Sequence, residues 1–478
     1  MVLSKGDVAT WLCNHAGLDR NLKRTAKEWI LTGTSAALRT SGLVIASVFV
    51  VFSSLVASAQ TKTLSVATHG AKCDGRTDDT AAFQAAAAAA ASSYSSTRVP
   101  VTVTYEGTCL INGSIWVQSG VHWRGSGQIR VATQATTPPS GVKPHALAAY
   151  PTFFAINADD VEWDNVDIVV EKPGVDHPYA SAIGWFARED SARHSHVRVT
   201  NCRISNAAWG IVVFYNDSGS SGSLTDVEIS GNTVTSAVTP PSVYSKLNWD
   251  GIHVGGRVTN IKIHNNTVTH RGDAAISLTS EGKDNVVSQA TIENNTASDD
   301  RIGIDISGAN NVEVVRNVVR ASYPENDQTL AFRQIFYGEV FPINIHTSGN
   351  QFESGTGTSG FTAKIDPASG GPSWPPLNSS FENNVIDGPM NPLYIRGNGI
   401  VVEGNAFNSR GELHIDYFAQ GSRIATSNIR IGTNRWKGDA QIFVGADSAL
   451  IKDVTVAPQS AAGATKVINE RNVRMVQK

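Results

Sequence analysis

Hydrophobic and polar residues alternate along most of this chain in short runs separated by small-residue turns. Such runs cover 99–105, 111–117, 121–123, 161–170, 197–204, 210–214, 227–234, 251–254, 261–268, 275–278, 303–306 and 312–319. A period of two predicts strands with one buried face. Most of the turns carry an asparagine phrase: Asn201-Cys202, Gly231-Asn232, Asn265-Asn266, Asn294-Asn295, Asn317, Asn350, Asn383-Asn384, Asn405 and Asn434. The phrase recurs every roughly 20–35 residues, and no single unit can bury its own apolar face, which is the signature of a solenoid. Asparagines repeated at one turn are expected to stack and hydrogen-bond from coil to coil, so their role is scaffolding.

One stretch breaks the pattern. Asp78 and Asp79 precede an alanine-rich run over 80–91 with Phe83 as its anchor, which predicts a helix of about three turns. A single helix ahead of a long series of strands is expected to cover the open end of the solenoid. Long Pro-, Gly- and Ser-rich segments at 133–151, 236–248, 322–342 and 354–380 are expected to be loops that wall a groove along the coils.

Composition narrows the picture. With 41% hydrophobic and 17% charged residues the chain is an ordinary globular one, and its formal charge of −3 leaves no footprint for nucleic acid. Residues 41–56 form an apolar run after a basic stretch and before Ala57-Ser58-Ala59, the order of an export signal cleaved after Ala59. About 16 apolar residues fall short of the ~20 of a membrane span, so 1–59 is expected to be a leader, with a membrane anchor as the other reading. A secreted or periplasmic location follows, with membrane contact only if the leader is kept. In an oxidising compartment Cys73 and Cys109, in loops on either side of the helix, are expected to pair as a disulfide.

The stretch His69-Gly70-Ala71-Lys72-Cys73-Asp74-Gly75-Arg76-Thr77-Asp78-Asp79-Thr80-Ala81-Ala82-Phe83-Gln84-Ala85 closely resembles the opening motif of the pectate lyase/pectin lyase-like superfamily. The resemblance covers roughly 63–440 and implies a right-handed parallel β-helix, all-β, capped by an N-terminal α-helix. It implies a cap and first coils over 60–135, the β-helix with its loop insertions over 136–455, and an end coil over 456–478. The motif marks a structural cap, so Asp74, Asp78 and Asp79 are not catalytic candidates.

Three consecutive coils are similar to the family 28 polygalacturonases. Asn248-Trp249-Asp250-Gly251-Ile252-His253 stands where that family has its catalytic Asp. Arg271-Gly272-Asp273-Ala274 stands where it has a pair of Asp, and Arg301-Ile302-Gly303-Ile304-Asp305 where it has Gly-His-Gly. Ala274 replaces the second Asp of the pair and Ile302 the His, and the downstream Arg-x-Lys motif is not recognisable. The resemblance therefore implies Asp250 and Asp273 as the catalytic carboxylates.

Glycosidases need one carboxyl protonated and one ionised, and two Asp on adjacent coils would push their pKa values apart. His253, Ser277 and Asp305 fall in one outward column and are expected to contact substrate, with Arg271 beside them. Trp209 and Trp249, and Tyr244 near them, offer flat faces for sugar rings. Asp299 and Asp300 read as turn residues. The expected function is an exported enzyme hydrolysing a polysaccharide, with polysaccharide as partner, as a monomer and without metal or other cofactor. A polysaccharide lyase or uronate epimerase is the alternative, kept open by His264, His270, Arg271 and Lys246, with Ca²⁺ as its cofactor. A non-catalytic carbohydrate-binding or tailspike-like surface protein is the contrasting class.

Overall fold

In a computed structural model the alternating runs are strands, each paired in parallel with strands of the neighbouring coils. They form three sheets of 15, 14 and 13 strands, and the chain visits the three in turn along most of its length. The structure describes residues 62–133, 150–171, 181–187, 191–215, 221–236, 249–322, 329–355, 360–366, 375, 377–409, 411–417, 425–445, 450–468 and 473–476. The leader expected over 1–59, Tyr244, Lys246 and parts of the long loops lie outside those residues. Two of the segments read as loops contain strands. Leu330–Ile335 and Phe361–Asp366 extend the 13-stranded sheet, their alternation hidden by the Gly- and Ser-rich flanks. Past residue 456, Thr465–Ile468 and Val473–Met475 add further strands to two of the sheets.

Inward positions stack residue on residue between coils. Trp123 lies in register with Trp163, and Phe83 of the helix stacks on Trp123 with ring centroids 5.5 Å apart. Phe83, Ala86, Ala87, Ala90 and Ala91 are the buried face of that helix. The helix thus closes the apolar core at the end where no further coil could cover it. It runs over Thr80–Thr97, a turn and a half beyond the alanines, and the hydroxyls of Ser95, Ser96 and Thr97 there donate back to carbonyls of the preceding turn. Asp78 caps its start by accepting from the Thr80 amide, whereas Asp79 accepts from the amides of Lys72 and Cys73. Cys73 and Cys109 are joined by a disulfide.

The asparagines form a continuous buried ladder. Nδ2 of Asn232 donates to Oδ1 of Asn266 at 2.9 Å, and the pattern repeats through Asn295, Asn317, Asn350, Asn384 and Asn405 to Asn434. Each Oδ1 from Asn266 to Asn434 also receives the backbone N–H of the asparagine before it. The residue ahead of each ladder asparagine from Asn232 to Asn405 turns the corner with positive φ: Gly231, Asn265, Asn294, Arg316, Gly349, Asn383 and Gly404. That conformation suits Gly and Asn, which explains the doublets in the sequence.

Candidate active site

The sheet of 13 strands carries an outward column of polar side chains. Its register pairs Val212 with His253, His253 with Ser277, Ser277 with Asp305, Asp305 with Arg333, and Arg333 with Lys364. Residues on either side of these positions, such as Ile252, Val254, Ile276, Leu278, Ile304 and Ile306, enter the core, so the polar residues must face the opposite way. Just before the strands, Asp250 and Asp273 sit on adjacent coils.

Asp250 is buried and fully satisfied. Its Oδ2 accepts from Ser277 Oγ at 2.6 Å and lies 2.9 Å from His253 Nδ1, while its Oδ1 accepts from the Ala274 amide at 2.9 Å. His253 Nδ1 is also 2.7 Å from Ser277 Oγ. Burial works to raise the Asp250 pKa, but the bonds and charge of His253, with Ser277 and the Ala274 amide, outweigh it and hold the carboxyl below the usual range.

Asp273 behaves in the opposite way. Burial first, and then the Asp250 and Asp305 carboxylates, push it up to about 7, against the pull of Arg301 and Arg333. Arg301 Nη1 lies 3.1 Å from Oδ1 of Asp273. The third carboxylate, Asp305, is clamped by Arg333, whose Nε donates to Oδ1 at 2.9 Å and whose Nη2 donates to Oδ2, and Ser307 Oγ donates to the same Oδ2.

These groups line one cleft of about 620 Å³, walled on one side by Trp209, Trp249, Phe186 and Phe214. Trp249 is half-buried, and Trp209 stacks behind it at 5.9 Å with an interplanar angle of 14°. Of the residues singled out from sequence, Asp250, Asp273, His253, Ser277, Asp305, Trp209 and Trp249 all meet here. Arg271 does not. It is wholly buried beneath the cleft, and its guanidinium donates to the carbonyls of Ala207, Ala208, Trp249 and Asp250, so it supports the site instead of touching substrate.

Asp300, buried and raised well above the usual carboxylate range by its burial, accepts from the Arg271 amide. His264 pairs with Glu228, and His270 lies 3.8 Å from Asp299; neither histidine lines the cleft. Arg301, Arg333 and Glu281 were not picked out in the sequence. Arg333 follows Asp305 in the column, but the segment between them obscures the register. Among the described residues, one group of His, Cys, Asp and Glu is close enough to share an ion: Cys73, Asp79 and Cys109. Its two thiols are spent on the disulfide.

A family model described as a right-handed beta helix region matches residues 190–363. Together with the three parallel sheets, this decides the architecture. The chain is a right-handed parallel β-helix. No curated protein matches its sequence. The β-helix resembles the catalytic unit of a thermostable GH87 α-1,3-glucanase from Streptomyces thermodiastaticus, at 14% identity and a TM-score of 0.53, over 86% of this chain and 69% of that one. It is more distantly similar to the A-module of a mannuronan C-5 epimerase from Azotobacter vinelandii (12% identity, TM-score 0.45, 87% and 97% covered). A family 28 exopolygalacturonase from Yersinia enterocolitica stands at 12% identity and a TM-score of 0.44, with 87% and 77% covered. At these identities the likeness is one of fold.

Proposed function

We propose that this β-helix is a glycoside hydrolase acting on a polysaccharide laid in the cleft of the 13-stranded sheet. One observation carries the reading: two carboxyls in one cleft are driven to opposite ionisation states, Asp250 below its usual range and Asp273 up to about 7. That is the division of labour hydrolysis of a glycosidic bond requires. Asp273 keeps its proton near neutrality and delivers it to the leaving oxygen as the bond to the anomeric carbon breaks. Asp250, ionised, takes a proton from the water that forms the new bond to that carbon. Ser277, His253 and the Ala274 amide aim the Asp250 carboxylate, and Arg301 holds Asp273. Glycosidases occur on this fold, the α-1,3-glucanase above among them. The export signal read at 41–59 fits an enzyme that meets polymers outside the cell.

The test is release of reducing ends from a polysaccharide panel by the wild type, Asp250→Asn and Asp273→Asn. Loss of activity in both variants, with products that lack the ultraviolet absorbance of an unsaturated uronate, is the expected result. Full activity in either variant would remove the two-carboxylate mechanism, and unsaturated products would make the enzyme a lyase.

A further inference from the structure

We infer that the glycan bound in this cleft is uncharged, a chain of neutral sugars that carries neither carboxylate nor sulfate. The inference rests on the reading of the cleft as a glycan site and goes on to name the class of glycan. It comes from where the cationic groups already point. Arg333 spends Nε and Nη2 on the two oxygens of Asp305. Arg301 is engaged by Asp273, and His253 Nδ1 faces Asp250 and Ser277. Among the described lining residues, four carboxyls (Asp250, Asp273, Asp305 and Glu281) face one arginine and one histidine.

Even with Asp273 protonated, a uronate or sulfate entering this space would meet the Asp250, Asp305 and Glu281 carboxyls, while among the described lining residues Arg333 is committed to Asp305 and His253 faces Asp250. Such juxtaposition disfavours anionic ligands. Lys364, the next cation along the column, lies outside the cleft lining, with its ammonium about 6 Å from the ring centroids of Phe361 and Tyr394.

The opposite wall suits an uncharged ring. Trp249 is backed by Trp209, and Phe214 and Phe186 continue the surface past His253, with Phe214 5.9 Å from its ring. A pyranose presents C–H bonds on its face and hydroxyls at its rim, so it can stack on this wall while its hydroxyls donate to Asp305 and Glu281. Carboxylates accept hydroxyl hydrogen bonds well and repel other carboxylates. A surface made this way selects for hydroxyls and against anions.

The experiment is affinity electrophoresis of the full chain carrying Asp273→Asn, in gels containing α-1,3-glucan, β-glucan, mannan, polygalacturonate, alginate or dextran sulfate, run beside hydrolysis assays of the wild type. Retardation by at least one neutral polymer is expected, with binding to the acidic polymers at least about tenfold weaker. Asp305→Asn, which releases Arg333, is expected to gain affinity for polygalacturonate. Retardation by an acidic polymer with the neutral ones inert would overturn the inference, as would binding of neither class. The two readings separate cleanly. Neutral-glycan binding without hydrolysis by the wild type would sink the hydrolase proposal alone, and cleavage of a uronate polymer with saturated products would sink this inference alone.

Discussion

Arg301 Nη1 lies 3.1 Å from Asp273 Oδ1, yet the Asp273 carboxyl is held at about 7. A guanidinium at that distance normally pulls a carboxylate below its usual range. Here burial and the facing Asp250 and Asp305 carboxylates outweigh it. Arg301 therefore fixes the position of the acid without ionising it.

A bell-shaped profile of kcat/KM against pH follows from this arrangement. Activity should fall above about 7 as Asp273 loses its proton, and at acid pH below the usual carboxylate range as Asp250 gains one. Since Arg301 lowers the Asp273 pKa, Arg301→Met should move the alkaline limb to higher pH. A limb that stayed in place or moved down would contradict the assignment of that limb to Asp273.

The same group makes stability depend on pH. Its folded value of about 7 exceeds the roughly 3.9 of an unfolded chain, so the folded state binds the extra proton between those values. The contribution is fully present below about 4 and is lost as pH rises through 7. Asp273→Asn removes this dependence. Relative to wild type it should gain on the order of 4 kcal/mol between pH 4 and pH 8 in denaturant unfolding. An unchanged difference between the two pH values would mean that Asp273 titrates normally.

Interrupting the asparagine ladder should be costly. Asn317→Ala strips the partner from Nδ2 and the backbone N–H of Asn295 and leaves the carbonyl of Ile292 and Oδ1 of Asn350 short of a donor. At about 1–3 kcal/mol per buried unsatisfied group, a loss of roughly 3 kcal/mol or more is expected. Asn434→Ala should cost less, because its side chain's onward bond, from Nδ2 to Oε1 of Gln459, is 3.4 Å long, and the backbone N–H bond to the same oxygen survives the substitution. Equal losses at the two sites, by thermal or urea unfolding, would argue against a cooperative ladder.

Arg271 joins the coil of Trp209 to that of Trp249 and Asp250, and its amide holds Asp300. Arg271→Met is expected to destabilise by roughly 3–5 kcal/mol, because a charge and its buried acceptors are separated. Arg271→Lys should retain the fold better while lowering kcat, since one ammonium cannot hold four carbonyls in their places. A lysine variant with wild-type kcat would limit Arg271 to stability.

Trp249→Ala should raise KM by about tenfold with little change in kcat, the mark of binding energy shared by ground and transition states. A fall in kcat at constant KM would instead place the ring at the reacting sugar.

Much of this was legible in the sequence because adjacent coils keep register. The asparagine doublets reported both the ladder and the left-handed corner beside it. The Asp250, Asp273 and Asp305 motifs aligned because no strand is missing between them. Arg333 was obscured where Leu330–Ile335 passed for loop, its alternation lost among Gly, Ser and Pro flanks. Arg271 is expected from the sequence to contact substrate beside the outward column, yet it is buried. A residue in the turn ahead of a strand does not obey the two-residue alternation, and its side chain runs under the preceding coil. The helix also runs past its alanines, through Ser and Thr residues that on their own favour caps and turns, so its end was not legible from propensity.

The asparagine ladder has a consequence for how such a chain can change. Its steps span 34, 29, 22, 33, 34, 21 and 29 residues, while the linking bonds stay between 2.9 and 3.1 Å. Register is therefore indifferent to how much chain is spliced into the arcs between sheets. Segments beside the cleft can be lengthened, trimmed or exchanged between relatives without a coil slipping, so the repertoire of polymers can drift while the chassis stays fixed.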